Sequence, residues 1–125
     1  MNCFRQFNYT ESSPVWEVIP LPMDNQDSLI CGQIETGDYM LNPKDPIDGG
    51  NHNHKGFSVF IEDETIWVGT ANGINKGIID GECINWSHYT TNNGLSGNWI
   101  VGIDSGLNGL WAISWSTSNN ERMGL

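Results

Sequence analysis

Two histidines stand two residues apart, His52 and His54, in a stretch that also holds Asp45 and Asp48. Imidazole nitrogens and carboxylate oxygens are metal ligands, and side chains at i and i+2 of an extended strand share a face. Asp45, Asp48, His52 and His54 therefore form the candidate ligand-binding and metal site. The histidines would suit a transition ion, and Asp45 and Asp48 with nearby carbonyls would suit Ca2+. The run lacks the alternating Asp ladder of an EF-hand loop. The competing reading is a turn whose Asn and His side chains bond backbone.

The other reactive groups are less suggestive. Glu62, Asp63 and Glu64 form a charge run at an expected hairpin tip, where solvated carboxylates are ordinary. General acid–base work would need one of them in a cleft with a raised pKa, and no spacing argues for that. His88 lies between Trp86 and Tyr89 and reads as a half-exposed strand residue. No serine has a Gly-x-Ser-x-Gly setting. Cys3, Cys31 and Cys83 are odd in number and lack C-x-x-C spacing, which removes zinc and redox motifs; buried free thiols are favoured, and the alternative is one bridged pair, which the sequence does not identify, in an oxidising compartment. No catalytic residue is assigned, no cofactor is expected beyond that Ca2+ option, and catalysis by this chain is not expected.

The elements that must position these groups read as β throughout. Phe57–Ile61, Thr65–Thr70, Ile74–Ile79 and Cys83–Thr90 are four short apolar runs separated by Glu62-Asp63-Glu64, Asn72-Gly73 and Asp80-Gly81. In the second run Ile66 and Val68 share one face and Trp67 takes the other. Asn72-Gly73 is a hairpin signal. Trp99–Ile103 and Leu110–Trp115 open a further unit after the crossing Asn92–Asn98. Upstream, residues 1–20 hold one or two strands split by Glu11–Pro14, and Leu29–Ile34 is another strand candidate. Residues 35–56, rich in Gly, Pro and Asp, read as a long loop insertion of functional or locally ordered type.

A phrase recurs. Ile66-Trp67-Val68 returns as Leu110-Trp111-Ala112, and 111 − 67 gives a period of 44. Phe57–Ile61 matches Trp99–Ile103 at 99 − 57 = 42, with the two-residue difference assigned to the turn. Four apolar runs per unit at this period are the spacing of β-propeller blades.

At Trp67-Val-Gly-Thr-Ala-Asn-Gly-Ile74 and His88-Tyr-Thr-Thr-Asn-Asn-Gly-Leu-Ser-Gly-Asn98, over residues 57–115, the chain resembles the propeller repeats of bacterial two-component-regulator sensors. Similar blades occur in secreted sialidase-like propellers. The resemblance implies an all-β partial propeller of about two to three four-stranded blades. Residues 1–34 would be a degenerate or incomplete blade, 35–56 the loop insertion, 57–98 a blade, and 99–125 the truncated start of the next. It also implies repeat roles for Trp67, Gly69, Asn72, Gly73, Tyr89, Gly94, Leu95, Trp99 and Trp111. Gly69 would admit a neighbouring backbone, and Trp67 and Trp111 would fill the same wedge in successive blades. The second copy departs from the pattern with Ala112-Ile113-Ser114, and no Asp-box is present. The sialidase arginine triad cannot be assembled from Arg5 and Arg122 alone.

Composition limits the functions open to such a chain. Five basic residues against 15 acidic ones give a net charge of −10, which disfavours nucleic acid and anionic membranes as partners. No apolar run reaches the length of a membrane span. A propeller of about four to eight blades of roughly forty residues each exceeds 125 residues, so a fragment of a longer protein is expected. The segment Met1–Gln6 lacks the apolar core of a signal peptide, which is uninformative if the N-terminus is truncated. The expected role is a non-catalytic ligand-binding or protein-interaction module, with the remaining blades of the chain and a glycan or protein ligand as partners. The resemblance places it outside the cytoplasm, periplasmic, cell-surface or secreted. The alternatives are part of a secreted propeller glycoside hydrolase whose catalytic residues lie mostly elsewhere, and a cell-surface repeat scaffold.

Overall fold

The computed structural model describes residues 4–7, 16–30 and 51–115. Its strands are β1 (Phe4–Phe7), β2 (Trp16–Ile19), β3 (Ser28–Leu29), β4 (Gly56–Glu62), β5 (Thr65–Thr70), β6 (Gly73–Asp80), β7 (Cys83–Tyr89), β8 (Trp99–Gly106) and β9 (Gly109–Trp115). A single 3-10 turn, Thr91–Asn93, interrupts them, and the described residues contain no α-helix. The molecule is all-β with antiparallel pairing throughout.

Three sheets result. β1 pairs with β2, β8 pairs with β9, and five strands run in the order β3-β7-β6-β5-β4. Within the five-stranded sheet, β4 to β7 are a meander joined by two-residue turns. Asp63-Glu64, Ala71-Asn72 and Gly81-Glu82 lie between the last paired residues of each hairpin. Gly73 closes the second turn at φ 100°, where any Cβ would also run into the Tyr89 carbonyl. β3 adds a short fifth strand on the outer edge, Leu29 facing Trp86.

Alternation decides which face is buried. Ile66, Val68 and Thr70 of β5 point to one side, here the front, and are buried. Ile66 and Val68 join Ile19, Leu21, Leu29 and Trp86 in the core, with Ile79 and Ile84 packed against it. Each such side chain withdrawn from water contributes about 1.5–3 kcal/mol. Trp86 lies across its β6 neighbour Gly77, where a Cβ would come within 2.7 Å of the indole. Trp67, on the back of β5, is half-buried, as the alternation predicts.

The β8–β9 hairpin stacks on the back of β4 and β5. Ile100 is fully buried, its carbonyl accepting from Ser58 Oγ at 3.3 Å. A Cβ built on Gly69 would sit 2.6 Å from the Ile100 carbonyl oxygen and 2.7 Å from Ile100 Cγ2. Gly69 is thus the hole that Ile100 occupies, as expected from the sequence for that glycine. Phe57 and Trp99 meet at 5.9 Å, and Trp99 meets Trp115 edge-on at 6.0 Å.

The pairing corrects the repeat. Phe60 faces Trp67 and Asp104 faces Trp111, so 104 − 60 and 111 − 67 both equal 44. Gly56 pairs with Thr70 and Ile100 with Ser114, again 44 apart. Each first strand carries an irregularity one residue later, between Gly56 and Ser58 and between Ile100 and Gly102. The offset is therefore uniform, and Phe57 corresponds to Val101 rather than to Trp99. A shift of two residues preserves the in–out alternation of a strand, so apolar patterning alone could not detect the slip.

Candidate functional site

The run around His52 is built as a turn. Asp24 in the 20–27 loop accepts the backbone N–H groups of His52 at 3.0 Å and Asn53 at 2.7 Å. The Lys55 N–H closes the turn on the His52 carbonyl. This bent backbone separates the two histidines. His52 is exposed, its Nδ1 3.1 Å from Lys55 Nζ, whereas His54 is fully buried. They do not share a face, because the i, i+2 argument holds for a strand and this segment is not one. Asp45 and Asp48 lie outside the described residues. Among the described residues no three His, Cys, Asp or Glu side chains gather around a common point.

What the turn does carry is a buried amide network centred on Asn53. Asn53 Nδ2 donates to the Pro22 carbonyl at 2.8 Å and to Asn75 Oδ1 at 2.7 Å. Its Oδ1 accepts from Asn75 Nδ2 at 2.9 Å and from Thr70 Oγ1 at 2.8 Å. An Asn side chain offers two donors and two acceptor positions, and all four are used. Asn53, Asn75 and Thr70 are fully buried. The network ties the 51–55 turn to β5, β6 and the Pro22 loop. Sequence reasoning passed over Asn53 because its partners come from 17 to 31 positions away.

His88 is a second tie, and here the expectation of half-exposure fails. It is buried, with Nδ1 3.0 Å from the Gln26 carbonyl and Nε2 2.6 Å from the Asn72 carbonyl. Carbonyls only accept, so a neutral ring donates to one of them and a doubly protonated ring to both. Its position bridges the outer loop and the β5–β6 turn. Glu62, Asp63 and Glu64 are exposed at the β4–β5 tip, matching the solvated-turn reading. Cys83 departs from the free-thiol expectation, being half-buried and disulfide-bonded. Cys3 and Cys31 lie outside the described residues.

A concave surface lies elsewhere, between the two stacked sheets. It is a cleft of about 350 Å3 lined by Trp67, Ile74, Tyr89, Leu95, Leu110 and Ala112, with exposed Asn93 and Gly94 completing it. Lys76 Nζ stands 5.3 Å from the Trp67 ring centroid, a cation–π contact on the same face of the sheet. The crossing that shapes the cleft is capped at Thr90. The Thr90 hydroxyl accepts from the Asn92 N–H, the Asn93 side chain accepts from the Thr90 N–H, and Gly94 ends the turn at φ 103°. Trp67, Tyr89, Gly94 and Leu95, assigned repeat roles from the sequence, converge here. Gly69, Gly73 and Trp99 serve the stacking and turn contacts described above, and the Asn72 carbonyl faces His88. Trp111 occupies the same register position as Trp67 but is exposed, so the two indoles do not fill equivalent wedges.

Comparison with family models, curated proteins and solved structures finds no match to this chain. No described helix is long and apolar enough to cross a membrane.

Proposed function

We propose that this chain is a repeat segment of a bacterial-type β-propeller, and that it acts as a non-catalytic binding module. The carrying observation is the uniform 44-residue recurrence of a hairpin together with its irregularity and its two-residue turn. The stacking of the second hairpin on the first supports the same reading, since propeller sheets lean on one another in this way. Within the five-stranded sheet the meander β4-β5-β6-β7 has the order expected of a blade, with β3 added beside β7.

The ligand surface under this reading is the inter-sheet cleft. An indole, a phenol and aliphatic side chains beside an exposed amide make a surface suited to the apolar face of a sugar ring, with Asn93 as a polar contact. The turn at residues 51–55 then serves as scaffold. A disulfide at Cys83 supports an extracytoplasmic location, where such bonds persist. The test is a glycan array followed by titration of tryptophan fluorescence. A glycan that shifts the emission of the wild type and loses its effect on Tyr89→Ala supports the assignment. An array without a binder, or a binder indifferent to Tyr89, rejects the cleft as the site.

A further inference from the structure

The 44-residue equivalence assigns every position of the β8–β9 hairpin a counterpart in β4–β5, and the two hairpins are covered differently. In the first unit the back of the hairpin is covered by the front of β8, with Ile100 seated over Gly69. The corresponding back of the second unit is open. It presents Trp111 at 66% exposure, Ile113 at 52% and Trp115 at 50%. The front of β4, which corresponds to the front of β8, is open as well, with Val59 at 50% and Ile61 at 58%. Among the described residues two apolar surfaces thus stand exposed, one corresponding to each half of an interface they already contain.

Their shapes match through an exchange of knob and hole. Ile100, the knob, has Gly56 as its counterpart on β4 (100 − 56 = 44), and Gly69, the hole, has Ile113 on β9 (113 − 69 = 44). A Cβ built on Gly56 would meet nothing closer than Val68 Cγ1 at 3.9 Å, so the space in front of this glycine is free. Where the internal interface sets an isoleucine of the covering strand over a glycine, the open surfaces offer a glycine on the covering strand and an isoleucine beneath. The exchange complements this chain's own β4.

We propose that the open back of β8–β9 is covered by the front of β4 from a second copy of this chain, head to tail, with Gly56 of one copy over Ile113 of the other. Such an interface is heterologous. It uses a different surface on each partner and propagates to a ring or an open stack. The proposal rests on the stacking geometry and stands whether or not the cleft binds a glycan. The charge of −10 opposes self-association, so added salt strengthens it.

The test is sedimentation velocity on the full 125-residue chain and on two variants, each checked for an unchanged urea midpoint. Ile113→Lys spoils only the back and Ile61→Lys only the front; both residues are exposed, so folding is spared. The wild type is expected to associate with concentration over about 1–200 µM, and each variant alone to lose at least about tenfold in affinity. Mixing the two variants restores a 1:1 dimer, because each retains the surface the other lacks. Gly56→Val, which fills the hole, weakens association as Ile61→Lys does. A wild type that stays monomeric overturns the proposal. So do single variants that associate like the wild type, or a mixture that stays monomeric.

Discussion

Asn53 shows how one side chain can hold several segments when all its polar capacity is used. Asn53→Ala removes four hydrogen bonds and leaves the Pro22 carbonyl and the Asn75 amide short of partners in a buried site, while the Thr70 hydroxyl keeps the Gly73 carbonyl. We expect a loss of about 3 kcal/mol, read as a lowered urea midpoint at unchanged slope. Asn53→Asp should be no milder, since it places a carboxylate where two donors to carbonyl oxygens are required. His88→Phe keeps a ring of similar volume but abandons the Gln26 and Asn72 carbonyls. It should cost about 2 kcal/mol and raise hydrogen exchange at the amides of residues 24–28 before those of β6. A half-exposed strand histidine would leave both observables unmoved.

At the level of elements the decisive contact is backbone against backbone. Gly69 is the residue through which β5 receives β8, and even one methyl group there meets the Ile100 carbonyl and the Ser58 hydroxyl. The opposing atom is main chain and cannot rotate away, so Gly69→Ala must separate the two sheets. The expected destabilisation is about 2–3 kcal/mol. Near-UV circular dichroism should report it, as Trp99 loses its packing on Phe57. Gly102, the counterpart of Ser58 on the open back of the second unit, has no sheet above it among the described residues. Gly102→Ala should leave the monomer's stability within about 0.5 kcal/mol. A similar cost at both positions would contradict the stacking described here.

For the whole molecule the disulfide adds to the core. Among the described residues the buried apolar cluster holds six side chains, and Cys83 at the start of β7 is disulfide-bonded. Reduction, or Cys83→Ser, should lower stability by about 2–4 kcal/mol, measured as urea unfolding with and without dithiothreitol. A sequence with three cysteines allows either three free thiols or one bonded pair and a single thiol, and the bonded state of Cys83 follows only from where the chain carries it.

The strands from residue 57 onward, their turns and the two faces of β5 were legible in the sequence. Alternation at Ile66-Trp67-Val68 and the Asn-Gly and Asp-Gly dipeptides are local signals, set by backbone geometry a few residues long. The repeat was legible too, but its register was not. Matching Phe57 to Trp99 satisfied the apolar pattern as well as the true partner Val101 does, because a strand shifted by two presents the same faces. Hydrogen-bond pairing across the hairpin fixed it. The site was hardest to read. His52 and His54 looked like a pair only on the assumption of an extended backbone, and Asp24, far away in sequence, bends that backbone into a turn. Local chemistry thus determined that this chain forms twisted antiparallel hairpins with a recurring tryptophan. Contacts between segments distant in sequence decided which polar groups are buried, which indole is covered, and where a cleft opens, because these depend on stacking one sheet upon another.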